Sequence, residues 1–257
     1  MSLEALASWL FARTSGGIRW GLERTEELLA GVGDPHRRFR SLLIGGTNGK
    51  GSVAALCEAA LRAEAPPGRR IGLYTSPHLV RFSERIRIDG RPASDELLLD
   101  AAERLRPEIE RTGATFFEAT TAIAFLCLAE AGVEMAVVEV GLGGRLDATN
   151  VLSPLVTAVT NVALDHTEYL GDSLAQIAAE KAGIFRAGVP ALTGEREPEV
   201  LAVLRERAAE VGAPLRVLDE LVRIESARTS VEGTTVTLDS AHWGRQSVRV
   251  PLLGEHQ

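Results

Sequence analysis

A glycine-rich segment that contains one lysine carries the clearest chemical signal in the sequence. Residues 45–52 read GGTNGKGS, directly after the apolar run 41–44 and directly before a segment rich in Ala and Leu. Glycines let several backbone N–H groups converge on an anion, a helix start adds partial positive charge, and Lys50 adds a full charge. The segment therefore predicts a phosphate-binding loop, although Gly51 between Lys50 and Ser52 departs from the strict GxxxxGK[ST] pattern. The alternative is a glycine turn with an exposed lysine.

Three polar residues follow other apolar runs. Glu139 ends the run EMAVVEV, Ser76 follows the run 70–74, and His166 follows the run 155–162. A carboxylate at the end of a buried strand is typical of a Mg²⁺ ligand. For Glu139 the alternative is an ion pair with a nearby Arg or Lys.

The pattern of runs indicates which fold would bring these residues together. The strand-like runs SLLIG, RIGLY, EMAVVEV, PLVTAVTNV and VPALT alternate with helical stretches at 51–64, 94–111, 117–131, 173–187 and 197–211. This alternation predicts an α/β fold with a mostly parallel sheet flanked by helices on both faces. The carboxyl ends of parallel strands form one edge, where such folds bind ligands. We therefore expect Lys50, Ser76, Glu139 and His166 to gather there.

The two ends of the chain depart from this alternation. Residues 2–32 are typical of two amphipathic helices separated by Gly16 and Gly17. Residues 221–250 predict short β-segments with a hairpin turn at Glu232-Gly233, which we interpret as a small accessory sheet. We expect one domain over 1–250, with the N-terminal helices inside 1–40, and 251–257 as a linker.

Lys181 lies where an apolar residue is expected. Ser173 and Gln176 form a capping box that starts its helix, and Lys181 falls on the apolar stripe of that helix. The stripe consists of Leu174, Ile177, Ala178, Ala182 and Phe185. An inward lysine either extends its amine to the rim or acts beside a charged group or metal that offsets its desolvation.

Composition limits the classes of function. The chain has 257 residues and a formal net charge of −7, which argues against a nucleic-acid partner. Its longest uncharged apolar run, 122–129, is too short for a membrane-spanning helix, so no membrane association is expected. Cys57 and Cys127 lack CxxC spacing and are expected to be buried free thiols. A reducing compartment, the cytoplasm, fits this cysteine usage.

Five segments taken together resemble one family. They are GGTNGKGS, YTSPHLVRFSERI, TFFEATTAIAF, EVGLGGRLDATN and ALDHTEYLG with EKAGIFR, in this order. This series resembles the folylpolyglutamate synthase and dihydrofolate synthase family, a branch of the Mur ligase superfamily, from about Trp9 to Gln257. The resemblance implies an ATP-dependent ligase that forms an acyl phosphate on a dihydropteroate or folate carboxylate and then joins it to L-glutamate. Family members continue into a second α/β domain, and 251–257 resembles the linker that leads into it.

The resemblance also implies roles for individual residues. The triphosphate cradle would consist of Thr47, Asn48, Gly49, Lys50, Gly51 and Ser52. Mg²⁺, with two ions expected, would be held by Ser76, Glu139, His166 and Lys181, the last as a carbamate. Lys50, His166 and Lys181 would be catalytic. The pterin part of the substrate would contact Thr115, Phe117, Glu118, Leu146, Asp147 and Ala148, although Phe117 fits an ordinary core position equally well. A monomer is expected.

Two other functions remain open on the sequence alone. A related ligase could join amino acids to a peptidoglycan precursor, although the GLGGRLDATN and TFFE segments argue against it. A non-catalytic nucleotide-binding module would use the glycine-rich loop for regulation and would not need an inward Lys181. The residues do not decide between dihydropteroate and a reduced folate as the substrate.

Overall fold

The central strands consist almost entirely of apolar residues, which suits a sheet covered on both faces. In the computed structural model, which describes residues 2–17 and 20–254, eight strands form one mixed sheet. These strands are β1 (Arg40–Gly45), β2 (Arg70–Tyr74), β3 (Ile86–Ile88), β4 (Arg91–Pro92), β5 (Val133–Glu139), β6 (Val156–Val159), β7 (Ala191–Thr193) and β8 (Leu215–Val217).

The strand order is β4-β3-β2-β5-β1-β6-β7-β8. The five pairings from β2 across to β8 are parallel, whereas the pairings of β3 with β2 and with β4 are antiparallel. The predicted α/β fold with a mostly parallel sheet is confirmed. In the register of the central strands, Ile44 lies opposite both Glu139 and Ala158. The loop after β1 therefore begins beside the carboxyl ends of β5 and β6.

Helices cover both faces of the sheet. They are α1 (Leu3–Phe11), α2 (Glu23–Ala30), α3 (Lys50–Glu64), α4 (Asp95–Thr112), α5 (Phe116–Glu130), α6 (Thr167–Leu170), α7 (Leu174–Ala182), α8 (Pro198–Val211) and α9 (Leu218–Leu221). Helix α3 packs on β1, β2 and β5, where Ile44, Ala54, Leu73 and Val137 form a small apolar cluster.

Helix α5 is the centre of the larger apolar core. Every residue from Glu118 to Ala129 is buried, so the helix is surrounded by other elements. Helices α1, α2 and α4 pack against it, with Leu28 and Leu29 of α2 fully buried. The two helices expected within residues 2–32 thus close one side of this core.

A second sheet lies after the α/β elements. It contains β9 (Val222–Ser230), β10 (Gly233–Ser240) and β11 (Gly244–Val250), all antiparallel, in the order β11-β10-β9. The expected accessory sheet and its hairpin are present, with the turn at Val231 and Glu232. Most residues of β9 and β11 are exposed. Of the expected linker 251–257, residues 255–257 lie outside the described residues.

The structure also bears on the expected burial of the two cysteines and on the search for a membrane-spanning helix. Cys127 is a buried free thiol, as expected, whereas the free thiol Cys57 is only partly buried. Across residues 2–17 and 20–254, none of the helices combines the length and apolar content that a transmembrane helix requires.

Candidate functional site

Four neighbouring strands end at one edge of the sheet, and each leads to a predicted site residue. The order β2-β5-β1-β6 brings Ser76, Glu139, Lys50 and His166 to this edge in turn. Glu139 is the last residue of β5, and Ser76 and Lys50 follow their strands within five residues, whereas His166 lies seven residues beyond β6, at the start of α6. We call this region the carboxyl edge.

The glycine-rich loop is held by the segment that follows β6. The backbone N–H of Thr47 donates to the Asn161 carbonyl (2.8 Å), and that of Asn48 donates to Asn161 Oδ1 (3.1 Å). Thr160 Oγ1 donates to the Asn48 carbonyl (2.7 Å). Thr160 and Asn161 were not predicted as site residues. They could have been predicted, because they directly follow a strand that ends at the same edge of the sheet. The loop conformation is therefore set before any ligand binds.

Lys50 lies at the first turn of α3. Gly49 precedes it in the left-handed conformation (φ 77°), which lets the chain turn from the loop into the helix. The Lys50 amine donates to the Thr47 carbonyl (3.0 Å), so the side chain folds back over the loop. A cation is thus held over a glycine-rich loop at a helix start, which is an arrangement that suits phosphate.

Glu139 is a buried carboxylate, with 5% of the residue exposed. Its Oε2 accepts a hydrogen bond from the Ser76 backbone N–H (2.9 Å). Among residues 2–17 and 20–254 it takes part in no ion pair, which argues against the structural ion pair that the sequence left open. Burial raises its pKa, and the charge of Lys50 opposes this rise. A cation bound at this carboxylate would lower the pKa of Glu139 back towards its ordinary value.

The side chain of His166 is half exposed (52%), and its Nε2 lies 3.7 Å from Asp165 Oδ1. Its backbone adopts the left-handed conformation (φ 48°) at the start of α6. Among the described residues, no group of three or more His, Cys, Asp or Glu side chains converges closely enough to hold a metal ion. Any Mg²⁺ here would need further oxygen ligands from phosphate or water.

Lys181 is buried, with only 3% of the residue exposed, as the stripe pattern indicated. Its amine donates to the carbonyl of Gly46 (2.9 Å), which joins α7 to the glycine-rich loop. Burial, followed by repulsion from Lys50, lowers the pKa of Lys181 to about 8, while Asp165 opposes this shift. The surroundings of Lys181 therefore favour its neutral amine more than water does.

A cavity of about 610 Å³ opens beside Ser76 and His166. All six residues that were expected to contact a pterin line it: Thr115, Phe117, Glu118, Leu146, Asp147 and Ala148. Lys50, Glu139 and Lys181 do not line it. The structure thus brings the predicted substrate residues together in one cavity that extends to two of the predicted metal ligands.

Several of these cavity residues also have structural roles. Thr115 and Glu118 form a reciprocal capping box at the start of α5, and Glu118 makes an ion pair with Arg24 (2.9 Å). Buried Asp147 accepts hydrogen bonds from the N–H groups of Thr149 (3.0 Å) and Leu142 (2.8 Å), while burial raises its pKa. These bonds fix the cavity wall in one conformation.

The ring of Phe117 packs directly on Gly141, where a Cβ would overlap the ring. Phe117 is therefore both a packing residue and a cavity residue. Sequence reasoning missed several other cavity residues, among them the large side chains of Arg13, Trp20, Arg85 and Tyr169. Trp20 and Tyr169 meet edge-on, with ring centroids 6.4 Å apart. Arg13 and Trp20 lie far from every strand end in the sequence, so a prediction based on strand ends could not find them.

Comparisons with known proteins bear on this arrangement. The pattern of the Mur ligase middle domain matches residues 44–257. The dihydrofolate synthase/folylpolyglutamate synthase of Bacillus subtilis strain 168 is 37% identical over 257 residues, covering 97% of this chain and 59% of that protein. The folylpolyglutamate synthase of Mycobacterium tuberculosis complexed with ADP has a TM-score of 0.88 at 36% identity, covering 99% of this chain and 58% of that one.

An FPGS complex with AMPPCP and folate has a TM-score of 0.89 at 34% identity, covering 100% of this chain and 63% of that one. The chain thus spans less than two thirds of the length of each of these three relatives. Both the sequence match and the shared fold extend over nearly all of the present chain. The chain therefore belongs to the Mur ligase family, and within it to the branch of the folylpolyglutamate and dihydrofolate synthases.

Proposed function

We propose that this chain forms the ATP-binding and pterin-binding part of a ligase that joins L-glutamate to dihydropteroate or a folate through an acyl phosphate. One observation carries the proposal: a single cavity is lined by all six residues expected to contact a pterin and also by Ser76 and His166, two residues of the carboxyl edge. The relatives named above, one of them in a complex with AMPPCP and folate, support the same assignment.

In this proposal the loop 47–52 binds the ATP triphosphate. Residues Thr47, Asn48, Gly49, Lys50, Gly51 and Ser52 surround the phosphates, with the backbone amides at the start of α3 as donors, and the Lys50 amine moves from the Thr47 carbonyl to phosphate oxygens. The hydrogen bonds that tie Thr47 and Asn48 to Thr160 and Asn161 support this role because they hold the loop in place in advance. Preorganised donors of this kind stabilise the charge that develops during phosphoryl transfer.

The residues present fit a magnesium–nucleotide complex better than a free metal ion. Glu139 offers a buried carboxylate without an ion-pair partner, and Ser76 and His166 lie at the same edge. We propose that these three residues hold Mg²⁺, with phosphate and water supplying the remaining ligands. When bound, the ion neutralises phosphate charge and so permits a carboxylate to approach the triphosphate.

Lys181 would contribute to a second Mg²⁺ as a carbamate. Its neutral amine, favoured by a pKa of about 8, adds CO₂ to give a carbamate anion and releases one proton. The buried position supports this role because an anionic carbamate near Lys50 would be better paired than a second ammonium group. The carbamate oxygens are ligands of the type that Mg²⁺ prefers.

The experiment that tests the proposal is product analysis with a panel of acceptors. The complete enzyme that contains this chain is supplied with Mg²⁺, ATP and L-glutamate, and with dihydropteroate, tetrahydrofolate or a UDP-muramyl precursor in turn. We expect ADP and phosphate to form only with a pterin acceptor and glutamate together. Turnover with the UDP-muramyl compound, or ATP hydrolysis that needs no acceptor, would overturn the proposal.

A further inference from the structure

Arg85 is a buried cation in the wall of the cavity. Only 5% of the residue is exposed, and the side chain lines the cavity near Ser76 and Pro77. Its guanidinium lies over the rings of Phe116 (5.2 Å) and Phe82 (5.9 Å). A fully desolvated guanidinium normally has an anionic partner, because burial of an isolated charge is unfavourable.

The described protein supplies no such partner. Arg85 Nε donates to His78 Nδ1 (2.8 Å), which requires a neutral acceptor nitrogen on His78. Burial and the positive charge of Arg85 both lower the pKa of His78, which favours that neutral form. Arg85 also forms a hydrogen bond with the hydroxyl group of Tyr74, which is neutral because burial raises the pKa of Tyr74. Within residues 2–17 and 20–254, Arg85 takes part in no ion pair, and Glu139 influences it only over a longer distance.

The guanidinium cannot escape this environment by losing its proton, because arginine stays charged at any accessible pH. Burial lowers the pKa of Arg85, which shows that the surroundings disfavour its charge. The cavity wall therefore carries a positive charge whose counter-ion is missing among the described residues. An anionic ligand in the cavity would provide it.

The backbone around Arg85 is fixed in place. Its carbonyl accepts a hydrogen bond from Thr75 N–H (2.9 Å), directly after β2. The neighbouring Glu84 carboxylate accepts hydrogen bonds from the N–H groups of Leu79 (2.9 Å) and Arg81 (2.9 Å), which closes the loop before it. The backbone of Arg85 is thus tied to Thr75, the residue before Ser76, and both Arg85 and Ser76 line the cavity.

We propose that Arg85 binds the carboxylate of the pteroate-type substrate through its guanidinium. This inference rests on the proposed function, and it assigns a binding residue for the carboxylate as distinct from the pterin. A planar guanidinium binds a carboxylate with two parallel hydrogen bonds. The pterin ring would lie against Phe117, so that the carboxylate is directed towards Ser76 and the glycine-rich loop.

The other cavity guanidinium, Arg13, is less suited to this task. It is only partly buried and lies over the ring of Trp9 at 4.5 Å. Because it lies in the N-terminal segment, no strand end fixes it relative to Ser76. Arg13 therefore serves as a separate arm of the test rather than as the assigned residue.

The test compares two ligands in matched variants by calorimetric titration of the full chain. The ligands are pteroate and the same pterin–aryl compound without its carboxylate. The variants are Arg85→Met, Arg85→Gln and the control Arg87→Met, which removes the same charge from β3 outside the cavity. Wild type and the control should bind pteroate at least about 10-fold more tightly than the analogue. In both Arg85 variants this ratio should fall to near one, with no loss of thermal stability, since an uncompensated charge is removed.

Three outcomes would contradict the inference. Equal affinity of wild type for both ligands would show that the carboxylate is not recognised, although the pterin site would stand. A ratio that persists in both Arg85 variants, but falls in Arg13→Met, would transfer the role to Arg13. If wild type bound neither ligand, the proposed pterin site and the role of Arg85 would fall together.

Discussion

Buried charge is the common feature of the individual site residues. Glu139, Lys181, Asp147 and Arg85 are each at most 5% exposed. Hydrogen bonds to backbone groups support the first three, and the pKa shifts of all four disfavour the charged form. Such clusters of perturbed groups are characteristic of functional sites, because a ligand or metal then supplies the missing opposite charge.

Replacement of Lys50 by Ala should impair phosphoryl transfer. The variant removes one preorganised cation from the triphosphate, for which a loss of about 10²- to 10³-fold in kcat is expected. Steady-state kinetics of the complete enzyme measure this loss. The control is Arg207→Ala on the surface of α8, where the side chain pairs with Glu210 and kcat should stay at the wild-type value. A Lys50→Ala enzyme with wild-type kcat would remove Lys50 from the mechanism.

Carbamylation of Lys181 should be visible by NMR with ¹³C-labelled CO₂. The sequence contains only two lysines, Lys50 and Lys181, so a lysine carbamate signal has two candidate origins. Because the pKa of Lys181 is lowered to about 8, the reactive neutral amine increases as the pH rises towards and through 8. We expect the signal to grow over this range, to survive Lys50→Gln and to disappear in Lys181→Gln. Persistence in Lys181→Gln would place the carbamate elsewhere.

At the scale of elements, the glycine-rich loop depends on two glycines in different ways. Gly46 has φ 133°, and a Cβ there would overlap Thr160, whose hydroxyl group holds the loop. Gly49 has φ 77°, and a Cβ there would meet no atom within 4 Å. An Ala at position 46 would therefore have both an unfavourable backbone conformation and a clash with Thr160, whereas an Ala at position 49 would have the unfavourable backbone conformation alone.

Gly46→Ala and Gly49→Ala form a matched pair that tests this difference. Gly49→Ala should cost about 1–2 kcal/mol of folding stability, as expected for Ala in the left-handed region. Gly46→Ala should cost more and should also abolish ATP binding, because Thr160 must move away from the loop. Thermal unfolding and titration with AMPPCP measure both effects. Equal losses in the two variants would contradict the role of Thr160.

The sequence predicted the larger elements closely. The helix expected at 51–64 is observed at Lys50–Glu64, and the one expected at 197–211 at Pro198–Val211. The strand expected at 70–74 is observed over the same residues. These elements have long periodic patterns or uniformly apolar runs, which are the signals that local sequence carries most strongly.

In three places the observed elements differ from the elements that the sequence predicted. The strand expected at 155–162 ends at Val159, because Thr160 and Asn161 turn away to bind the glycine-rich loop. The helix expected at 173–187 ends at Ala182, and the following Gly183 packs closely against Arg145. The hairpin of β3 and β4 was not predicted, since these strands are short and take their pairing from β2.

The candidate site was predictable only in part. Strand ends in the sequence indicated Lys50, Ser76 and Glu139, because a parallel sheet places them at one edge. The resemblance to a family indicated the cavity residues. Arg85 and Trp20 escaped both kinds of reasoning, because their place in the cavity depends on how distant segments pack.

At the scale of the whole molecule, stability is expected to be uneven. Strands β1 and β5 lie at the centre of the large sheet, whereas β9 and β11 expose most of their residues. Amide hydrogen exchange of the chain should therefore be at least about 100-fold faster in β9 and β11 than in β1 and β5. Equal protection would indicate that another surface covers the small sheet in solution.

The convergence of the carboxyl edge and the cavity is tested most directly by a crystal structure with Mg²⁺, AMPPCP and pteroate. We expect the phosphates on the amides of residues 47–52, a Glu139 oxygen bound to the metal, and the pterin ring against Phe117. A triphosphate bound away from the glycine-rich loop, or a pterin outside the cavity, would contradict the proposed ligase site.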